Sequence, residues 1–467
     1  MSIVLIFDCG ATNLRTIAIN QKGEILAAQH LPNCTKTGAE SAEFHIWDFD
    51  EIWQKLQICA AQTLAQLQDL NQLVAIGVTT FGVDGAPFDK QGNPLYPIIS
   101  WKCPRTLPVM QTLAQELDIR ALYQRNGIGQ YRFNTLFKLR WLKDNKPDIY
   151  AQMDKFVFIS AMIAERLSGE FCTDRTMAGT SMMTNLHTGD WDDDVLKLLS
   201  LNKSHFPPMR NAGEIIGELK AEWAKQWNVA QVPIISCGHD TQFAVFGSGA
   251  SLNQPVLSSG TWEILMARTL QAKPDYAFIS QGLTTEFDAI ATQFNPAVQW
   301  VGSGILEWLG KLLFADVANT DKFYSTMIAE GTQAIQNAPI HAKFENTFAE
   351  IAQGTLSGLS MFSSRGEIYA AALQFMANQL KAGLSVLQQV SQFHAQRLIC
   401  VGGGSKNALW NQLRANTLNL PIDVVEMSET TVLGAAMFCF SAAGIYASPD
   451  AAQQAMRPPV QRVYPNS

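Results

Sequence analysis

One carboxylate in this sequence stands where it could act as a base. Asp240 follows the apolar run Val232–Ser236 by a few residues. An Asp just past the end of a buried strand reaches the rim of an α/β sheet, where it can accept a proton from a hydroxyl group. Phosphoryl transfer to an alcohol needs such an acceptor, together with groups that hold the phosphate charge. Helix capping is the other use of Asp at this position, and the local sequence alone favours the cap.

Two turns have the composition of phosphate-binding loops. The first, Asp8-x-Gly10-x-Thr12-Asn13-x-Arg15, joins two β-rich runs. Glycine and small hydroxyl residues let backbone N–H groups and a threonine oxygen approach phosphate oxygens, and the carboxylate can hold Mg²⁺ through water. The second, Gly402-Gly403-Gly404, lies between an apolar strand and a helix, where a nucleotide can approach closely. Ordinary tight turns remain open as the alternative for both segments.

A third group of residues suits a polyhydroxylated ligand. Gly82 and Asp84 stand in one turn, and Trp101, Lys102 and Arg105 follow within one short segment. Glycine permits close approach, a carboxylate can bind two hydroxyl groups, and an indole can form an apolar wall. A turn between strands with a surface ion pair explains the same residues equally well.

Composition and charge exclude several classes of protein. The chain has 467 residues, of which 47% are hydrophobic and 16% charged, enough for two α/β domains. Its net charge of −7 argues against nucleic acid or an anionic membrane as a partner. Histidine and cysteine do not cluster at zinc spacing, so no transition metal is expected. The uncharged stretch 430–449 is rich in small residues and predicts a buried helix rather than a membrane span.

The cysteines and the N-terminus bear on location. The eight cysteines form no C-x-x-C pair, and several lie in apolar runs. The first residues enter a strand-like run without a basic start or a small-residue cleavage site. These features predict a cytoplasmic protein with reduced thiols.

The elements that position these residues alternate between strands and helices. Ile3–Phe7 and Leu14–Ile19 predict a hairpin, and a break rich in glycine and serine at 247–255 predicts a junction between two lobes. After the break, Val256–Met266 repeats the strand, small polar turn and strand of the N-terminus, so two related lobes are expected. Further predictions are a helix over Ile52–Leu70, a strand over Leu73–Val78, a helix over Thr135–Lys146 capped by Asn134, and a helix over Ala408–Leu418.

Together these segments resemble the FGGY carbohydrate kinases over nearly the whole chain. Asp8–Asn13 and Ser258–Trp262 are similar to the family's two phosphate motifs, Val401–Asn407 to its adenosine loop, and Glu429–Ala436 to its closing helix. Four motifs in the right order are far more specific than any one of them. The resemblance implies an α/β fold of two actin-like, ribonuclease H-like lobes with a catalytic cleft between them. It assigns residues 1–247 to the N-terminal lobe, 255–445 to the C-terminal lobe and 446–467 to a tail.

The resemblance also implies a role for each candidate residue. Asp240 is the expected catalytic base, and Asp8 is expected to hold Mg²⁺ through water. The residues expected to face the phosphates and the nucleotide are Asp8, Gly10, Thr12, Asn13, Arg15, Gly260, Thr261, Gly402, Gly403, Gly404 and Asn407. The residues expected to meet the sugar are Gly82, Asp84, Trp101, Lys102, Arg105, His239 and Asn295.

The implied activity is transfer of the ATP γ-phosphate to a ketose, with Mg²⁺ as cofactor. The expected acceptor is the C1 hydroxyl of L-fuculose, and L-rhamnulose, D-ribulose and xylulose are alternatives. An actin-like or chaperone-type ATPase without a sugar is the rival class, and His239-Asp240 argues against it. A non-catalytic sugar sensor would be expected to have lost the phosphate motifs, which are present here. The expected partner is therefore a small ketose, and a homodimer is an assembly that the sequence leaves open.

Overall fold

This computed structural model describes residues 1–345 and 354–466, and it contains both strands and helices. The strands, β1 to β24 in chain order, are Ile3–Cys9, Asn13–Asn20, Ile25–Pro32, Lys36–Gly38, Ser41–Trp47, Leu73–Thr80, Gly85–Phe88, Ile98–Ile99, Lys155–Phe158, Thr173–Asp174, Thr184–Asn185, Asp190–Trp191, Met209–Arg210, Ile215–Glu218, Pro233–His239, Pro255–Ser259, Trp262–Ala267, Thr284–Phe287, Phe294–Val301, Lys343–Glu345, Thr355–Ser357, Leu398–Val401, Ile422–Val425 and Val460–Val463. The helices, α1 to α16, are Phe49–Leu64, Leu107–Glu116, Ile119–Asn126, Thr135–Asn145, Pro147–Gln152, Ile159–Ser168, Arg175–Gly179, Asp193–Leu198, Ala221–Trp227, Asp240–Gly247, Ser303–Leu313, Phe323–Asn337, Arg365–Ser391, Ala408–Leu418, Thr430–Ala442 and Pro449–Ala455.

The first large sheet is built on the N-terminal hairpin and has six strands in the order β14-β15-β6-β1-β2-β3. β1 pairs antiparallel with β2 and parallel with β6, which in turn pairs parallel with β15. The register therefore brings Cys9, Thr80 and His239 to the same edge of the sheet. Ligands of open α/β sheets bind at the carboxyl ends of parallel strands, so this edge is where a site is expected.

The second large sheet repeats this arrangement. Its seven strands have the order β18-β19-β17-β16-β22-β23-β24. β16 pairs antiparallel with β17 and parallel with β22, as β1 does with β2 and β6. The prediction of two related units, each opening with a hairpin, is confirmed. Residues 1–247 and 255–466 are called the N-terminal half and the C-terminal half below.

A pair of helices, α10 and α15, lies between the two sheets. A Cβ atom at Gly434 would lie 2.0 Å from the carbonyl oxygen of Phe243, so the two helices touch along their backbones and only glycine fits there. Val245 of α10 packs in the core of the second sheet, whereas Phe438 of α15 belongs to the buried cluster that contains Ile6 of the first. The buried helix predicted for the uncharged stretch is confirmed. Across the described part of the chain, no helix has the length and apolarity needed to cross a bilayer.

Three segments differ from the sequence predictions. α1 ends at Leu64 instead of Leu70, and Leu70–Gln72 form a separate 3₁₀ turn that begins where Asp69 accepts the Asn71 N–H at 3.0 Å. Asn134 precedes α4, but its side-chain oxygen accepts the Tyr131 N–H instead of one in the helix. The segment 446–467 was expected as a tail, yet Pro449–Ala455 form α16 and Val460–Val463 form β24. β24 pairs with β23 and so covers an otherwise open sheet edge.

Candidate active site

Asp240 is the first residue of α10 and follows directly on β15. Its side chain is 30% exposed, so a ligand can reach it. One carboxylate oxygen, Oδ1, accepts the Thr241 N–H at 2.6 Å and the Thr241 hydroxyl at 3.2 Å. Burial raises the pKa of Asp240 above its ordinary value, although the charge of His239 and the Thr241 hydrogen bonds oppose that shift. This geometry keeps the carboxylate oriented and accessible.

A second carboxylate, that of Asp8, lies at the same sheet edge. Asp8 is buried and sits directly opposite Arg15 in the β1–β2 register. Arg15 donates from Nε to Asp8 at 2.9 Å and from Nη1 to Glu429 at 2.5 Å. Burial raises the pKa of Asp8 to about 6; Arg15 opposes this shift and the negative charge of Asp240 adds to it. Arg15 thus joins the first sheet to the residue that precedes α15, and a phosphate contact by Arg15 stays a prediction.

The β1–β2 turn is held by a residue that sequence reasoning missed. Asn33 donates from its backbone to Thr12 O and from its side chain to Gly10 O, each at 2.8 Å. The Gly10 N–H also donates to Asn13 O at 2.9 Å. The side chains of Thr12 and Asn13 are exposed at the tip of the turn. The turn is therefore held by hydrogen bonds and presents polar groups outward. A phosphate-binding turn needs such groups, and phosphate binding by this turn stays a prediction.

In the C-terminal half, the other residues predicted to bind the phosphates and the nucleotide lie around Ser259. The carbonyl oxygens of Gly260 and Thr261 accept N–H groups from Ser303 and Gly302 at 2.9 and 2.8 Å, so the hairpin turn is held by the start of α11. The loop after β22 closes over the same point. Gly402 has φ +89°, and a Cβ there would lie 2.6 Å from the Ser259 carbonyl oxygen.

The remaining residues of that loop have different surroundings. Gly403 has open space where a Cβ would be, whereas Gly404 lies against Ser259 Oγ. Asn407 caps α14 by accepting the Trp410 N–H at 3.1 Å, and it donates to the Tyr369 hydroxyl at 2.8 Å. Asn407 is buried, and these two bonds explain it as a structural residue. Its predicted contact with a nucleotide stays a prediction.

The Asp84 carboxylate is fully buried. It accepts the indole N–H of Trp47 at 2.6 Å and the backbone N–H of Trp101 at 3.0 Å, and it forms an ion pair with Lys138. Asp84 therefore holds the segment that carries Trp101 and Lys102, and direct contact of Asp84 with a sugar stays a prediction. The Lys102 ammonium lies 5.4 Å from the centre of the Trp101 ring.

Arg105 is enclosed by aromatic side chains. Its guanidinium lies 4.0 Å from the Phe44 ring centre and 4.8 Å from that of Trp141, and it donates to the Tyr96 hydroxyl at 2.9 Å. Only 5% of the residue is exposed. These contacts explain Arg105 as part of the packing, and its predicted sugar contact stays a prediction.

His239 connects Asp240 with the C-terminal half. Its Nε2 lies 3.5 Å from Asp240 Oδ1, and its Nδ1 lies 3.1 Å from Glu286 Oε2. Gly82 lies against the imidazole, since a Cβ there would be 3.1 Å from Nε2. The predicted residues Gly82, His239 and Asp240 are thus brought together.

Glu286 and Gln242 are site residues that sequence reasoning missed. Gln242 donates to Glu286 at 2.6 Å, and Asn295 donates to Gln242. The Asn295 side-chain oxygen is buried without a hydrogen-bond partner in the structure. Gln242 stands two residues after Asp240, which was a usable signal. Glu286 is a single acidic residue in a short strand, and nothing in the sequence around it indicates a functional role. Its role depends on the contact between β18 and α10.

The fold and the site define a class of protein. Two related sheets, glycine-containing hairpin turns on each and an accessible carboxylate between them are the arrangement of the actin-like two-domain phosphotransferases. Residues 3–247 match the model of the N-terminal domain of the FGGY family of carbohydrate kinases, and residues 256–443 match that of its C-terminal domain. The chain belongs to this family.

Individual relatives agree with this assignment. The chain is 67% identical over 470 residues to the L-fuculokinase of Haemophilus influenzae, with all of both chains covered. It is 41% identical to the L-fuculokinase of Escherichia coli, over 100% of this chain and 98% of that protein. The crystal structure of the xylulose kinase from Lactobacillus acidophilus has the same fold, with a TM-score of 0.88 and 21% identity, and covers 100% of this chain and 94% of that one.

Proposed function

We propose that this chain transfers the γ-phosphate of ATP to the C1 hydroxyl of L-fuculose, forming L-fuculose 1-phosphate. The observation that carries the chemistry is the Asp240 carboxylate, which is oriented by Thr241, 30% exposed and located where the two halves meet. The choice of sugar is supported by the 67% identity to a protein named L-fuculokinase.

In this mechanism Asp240 accepts the proton of the sugar hydroxyl as that oxygen attacks the γ-phosphorus. The Oδ1 atom is already held by Thr241, so the carboxylate is oriented before the sugar binds. The β1–β2 turn and the Gly260–Thr261 turn approach the phosphates from opposite halves, and the Gly402–Gly404 loop receives the nucleotide. Closing the halves around the reactants would exclude water, which otherwise competes as an acceptor of the phosphate.

Mg²⁺ belongs to this proposal through Asp8, which would hold the ion by way of water. The described residues contain no group of three or more His, Cys, Asp or Glu side chains that could hold a metal ion. Mg²⁺ is bound mainly through water and substrate phosphates with one or two carboxylates, so the Asp8 carboxylate at this sheet edge fits it. When bound, it would neutralise the charge of the β- and γ-phosphates.

The sugar would lie against the group formed by His239, Asn295 and the Trp101 segment. The unpaired oxygen of Asn295 is a buried acceptor that a sugar hydroxyl could satisfy. Discrimination by a pocket between a methyl and a hydroxymethyl terminus is modest, about 10²-fold, so related ketoses are expected to react as well, at lower rates. A cytoplasmic location and a homodimer remain predictions from the sequence.

An assay of ADP release over a panel of ketoses tests the proposal. We expect the highest kcat/KM for L-fuculose, with lower values for L-rhamnulose, D-ribulose and xylulose. A preference for one of those sugars would overturn the substrate assignment and leave the kinase assignment intact. ADP release at the same rate with and without sugar would instead support an ATPase.

A further inference from the structure

The strand β18 belongs to the second sheet but makes several contacts with the N-terminal half. The Thr285 N–H donates to Gly127 O at 2.7 Å. The guanidinium of Arg175 lies 3.8 Å from the centre of the Phe287 ring. These contacts flank Glu286 on both sides, so its position relative to the N-terminal half is fixed by its neighbours.

Glu286 itself binds two residues that neighbour the proposed base. Its Oε2 lies 3.1 Å from His239 Nδ1 and accepts from Gln242 Nε2 at 2.6 Å. The side chains of Glu286 and His239 are 21% and 13% exposed, so solvent competes only weakly with this contact. The imidazole is thereby placed between two carboxylates, one from each half of the molecule.

We propose that Glu286 is a positioning residue for the base Asp240 and acts through His239. By accepting from Nδ1, Glu286 turns the imidazole so that Nε2 faces Asp240 Oδ1. Because β18 comes from the C-terminal half, the arrangement of the base depends on contact between the two halves. This inference rests on the proposed function, in which Asp240 is the base.

The charges around His239 support a proton on both ring nitrogens. Burial lowers the pKa of His239, but the negative charges of Glu286, Asp240 and Asp174 oppose burial, and the net shift is upward. The backbone of His239 is fixed as well, since its N–H donates to the Thr176 hydroxyl at 2.8 Å. A doubly protonated imidazole donates towards both carboxylates. A neutral ring with its proton on Nδ1 would instead turn a lone pair towards Asp240.

The first test is the kinetics of Glu286→Gln in the full chain with MgATP and L-fuculose. We expect kcat to fall by about 10-fold, a part of the ~10²–10⁴-fold that general-base catalysis supplies, with little change in the KM for ATP. Loss of the Glu286 charge lowers the pKa of His239, so the alkaline limb of the kcat profile should move to lower pH. Glu286→Asp keeps the charge and should retain a limb close to that of the wild type.

A matched control and a double variant isolate the path through His239. Glu165→Gln removes a carboxylate from the half-buried pair with Lys220 and should leave kcat and the pH profile unchanged. In a His239→Asn background, Glu286→Gln should have a much smaller effect on kcat than in the wild type, because the intermediary is missing. Effects that simply multiply in the double variant would overturn the proposal.

The second test observes the imidazole directly by ¹⁵N NMR, with the His239 signals assigned by their loss in His239→Asn. The titration of His239 should move to lower pH in Glu286→Gln and stay near the wild-type position in Glu286→Asp. A fall in kcat with no change in the imidazole titration or the pH profile would indicate a merely structural residue and would overturn the proposal. If the wild type phosphorylates no ketose, the proposed function fails, and the titration alone decides whether Glu286 holds the imidazole.

Discussion

The two hairpins that open the two sheets have the same topology and different chemistry. At the end of β1, Asp8 lies opposite Arg15. At the end of β16, Ser259 lies opposite Glu263 instead. The first hairpin therefore carries its own pair of opposite charges, whereas the second needs a cation from elsewhere, which Arg414 of α14 supplies.

The surroundings of these charges differ as well. Arg15 is 30% exposed and reaches across to Glu429 in the C-terminal half. Glu263 and Arg414 are completely buried, and Glu263 also accepts the Trp300 indole N–H at 2.8 Å. One hairpin thus keeps its charges at the junction of the halves, with Arg15 partly exposed. In the second hairpin, the buried ion pair of Glu263 and Arg414 joins α14 to the end of β16, against which the Gly402–Gly404 loop packs.

The largest expected effect is on kcat, and it comes from Asp240, which lies at the same sheet edge as the charges of the first hairpin. Asp240→Asn should lower kcat by about 10²–10⁴-fold, because the amide cannot accept the hydroxyl proton. Binding of ATP should be largely retained, since it involves other residues. Steady-state kinetics and nucleotide titration measure the two quantities. Turnover near that of the wild type would mean that Asp240 is not the base.

The buried pair of the second hairpin should matter for stability instead. Glu263→Gln leaves the Arg414 charge buried without its ionic partner and should lower the free energy of unfolding by about 3–5 kcal/mol, as measured by urea denaturation. Glu116→Gln, in an exposed pair with Arg140, is the matched control and should change it by less than about 1 kcal/mol. Equal effects of the two substitutions would remove the distinction between a buried and an exposed pair.

The smallest expected effect concerns the pH dependence of Asp8. Its pKa in the folded protein, about 6, lies above the ordinary value of 3.8, so the folded state binds the proton more tightly than the unfolded state. This stabilisation is complete below the unfolded pKa and is lost as the pH rises through 6. Relative to Asp8→Asn, the wild type should lose up to about 3 kcal/mol of unfolding free energy between about pH 4 and pH 7.

An exposed carboxylate offers a control with the opposite sign. A hydrogen bond from the Asn71 backbone lowers the pKa of Asp69, so the wild type should become slightly more stable relative to Asp69→Asn as the pH rises. Urea denaturation at a series of pH values measures both differences. A difference for Asp8→Asn that is independent of pH would show that the Asp8 pKa is not raised by burial.

Much of the fold could be predicted because it depends on local patterns. The first hairpin, the strand from Leu73 and the helix Ala408–Leu418 follow from apolar periodicity and from turn residues. The repeat of the first hairpin after the break at 247–255 also indicated two related halves. The separate 3₁₀ turn after α1 and the pairing of β24 were missed because they depend on a side-chain cap and on an open sheet edge, neither of which is visible as periodicity.

The candidate site divides in the same way. Gly82, His239 and Asp240 were chosen from the sequence, and the structure brings them into one group. Glu286 was missed, because its meaning comes from a contact across 47 positions of the chain. Arg105 was chosen for its residue type and Asn407 from the family resemblance, and their partners in the structure explain them as packing and capping residues.

The sequence by itself determined the family and the order of the motifs, and it predicted Asp240 as the carboxylate that accepts the proton. Residue types, turn chemistry and apolar spacing are local properties, and they can be read along the chain. Only the tertiary structure decided that α10 and α15 lie between the sheets and that Arg15 meets Glu429. It also decided that His239 stands between Asp240 and Glu286. Burial and the interactions between facing charges depend on which distant segments pack together. They set the orientation and the pKa of the side chains in the site.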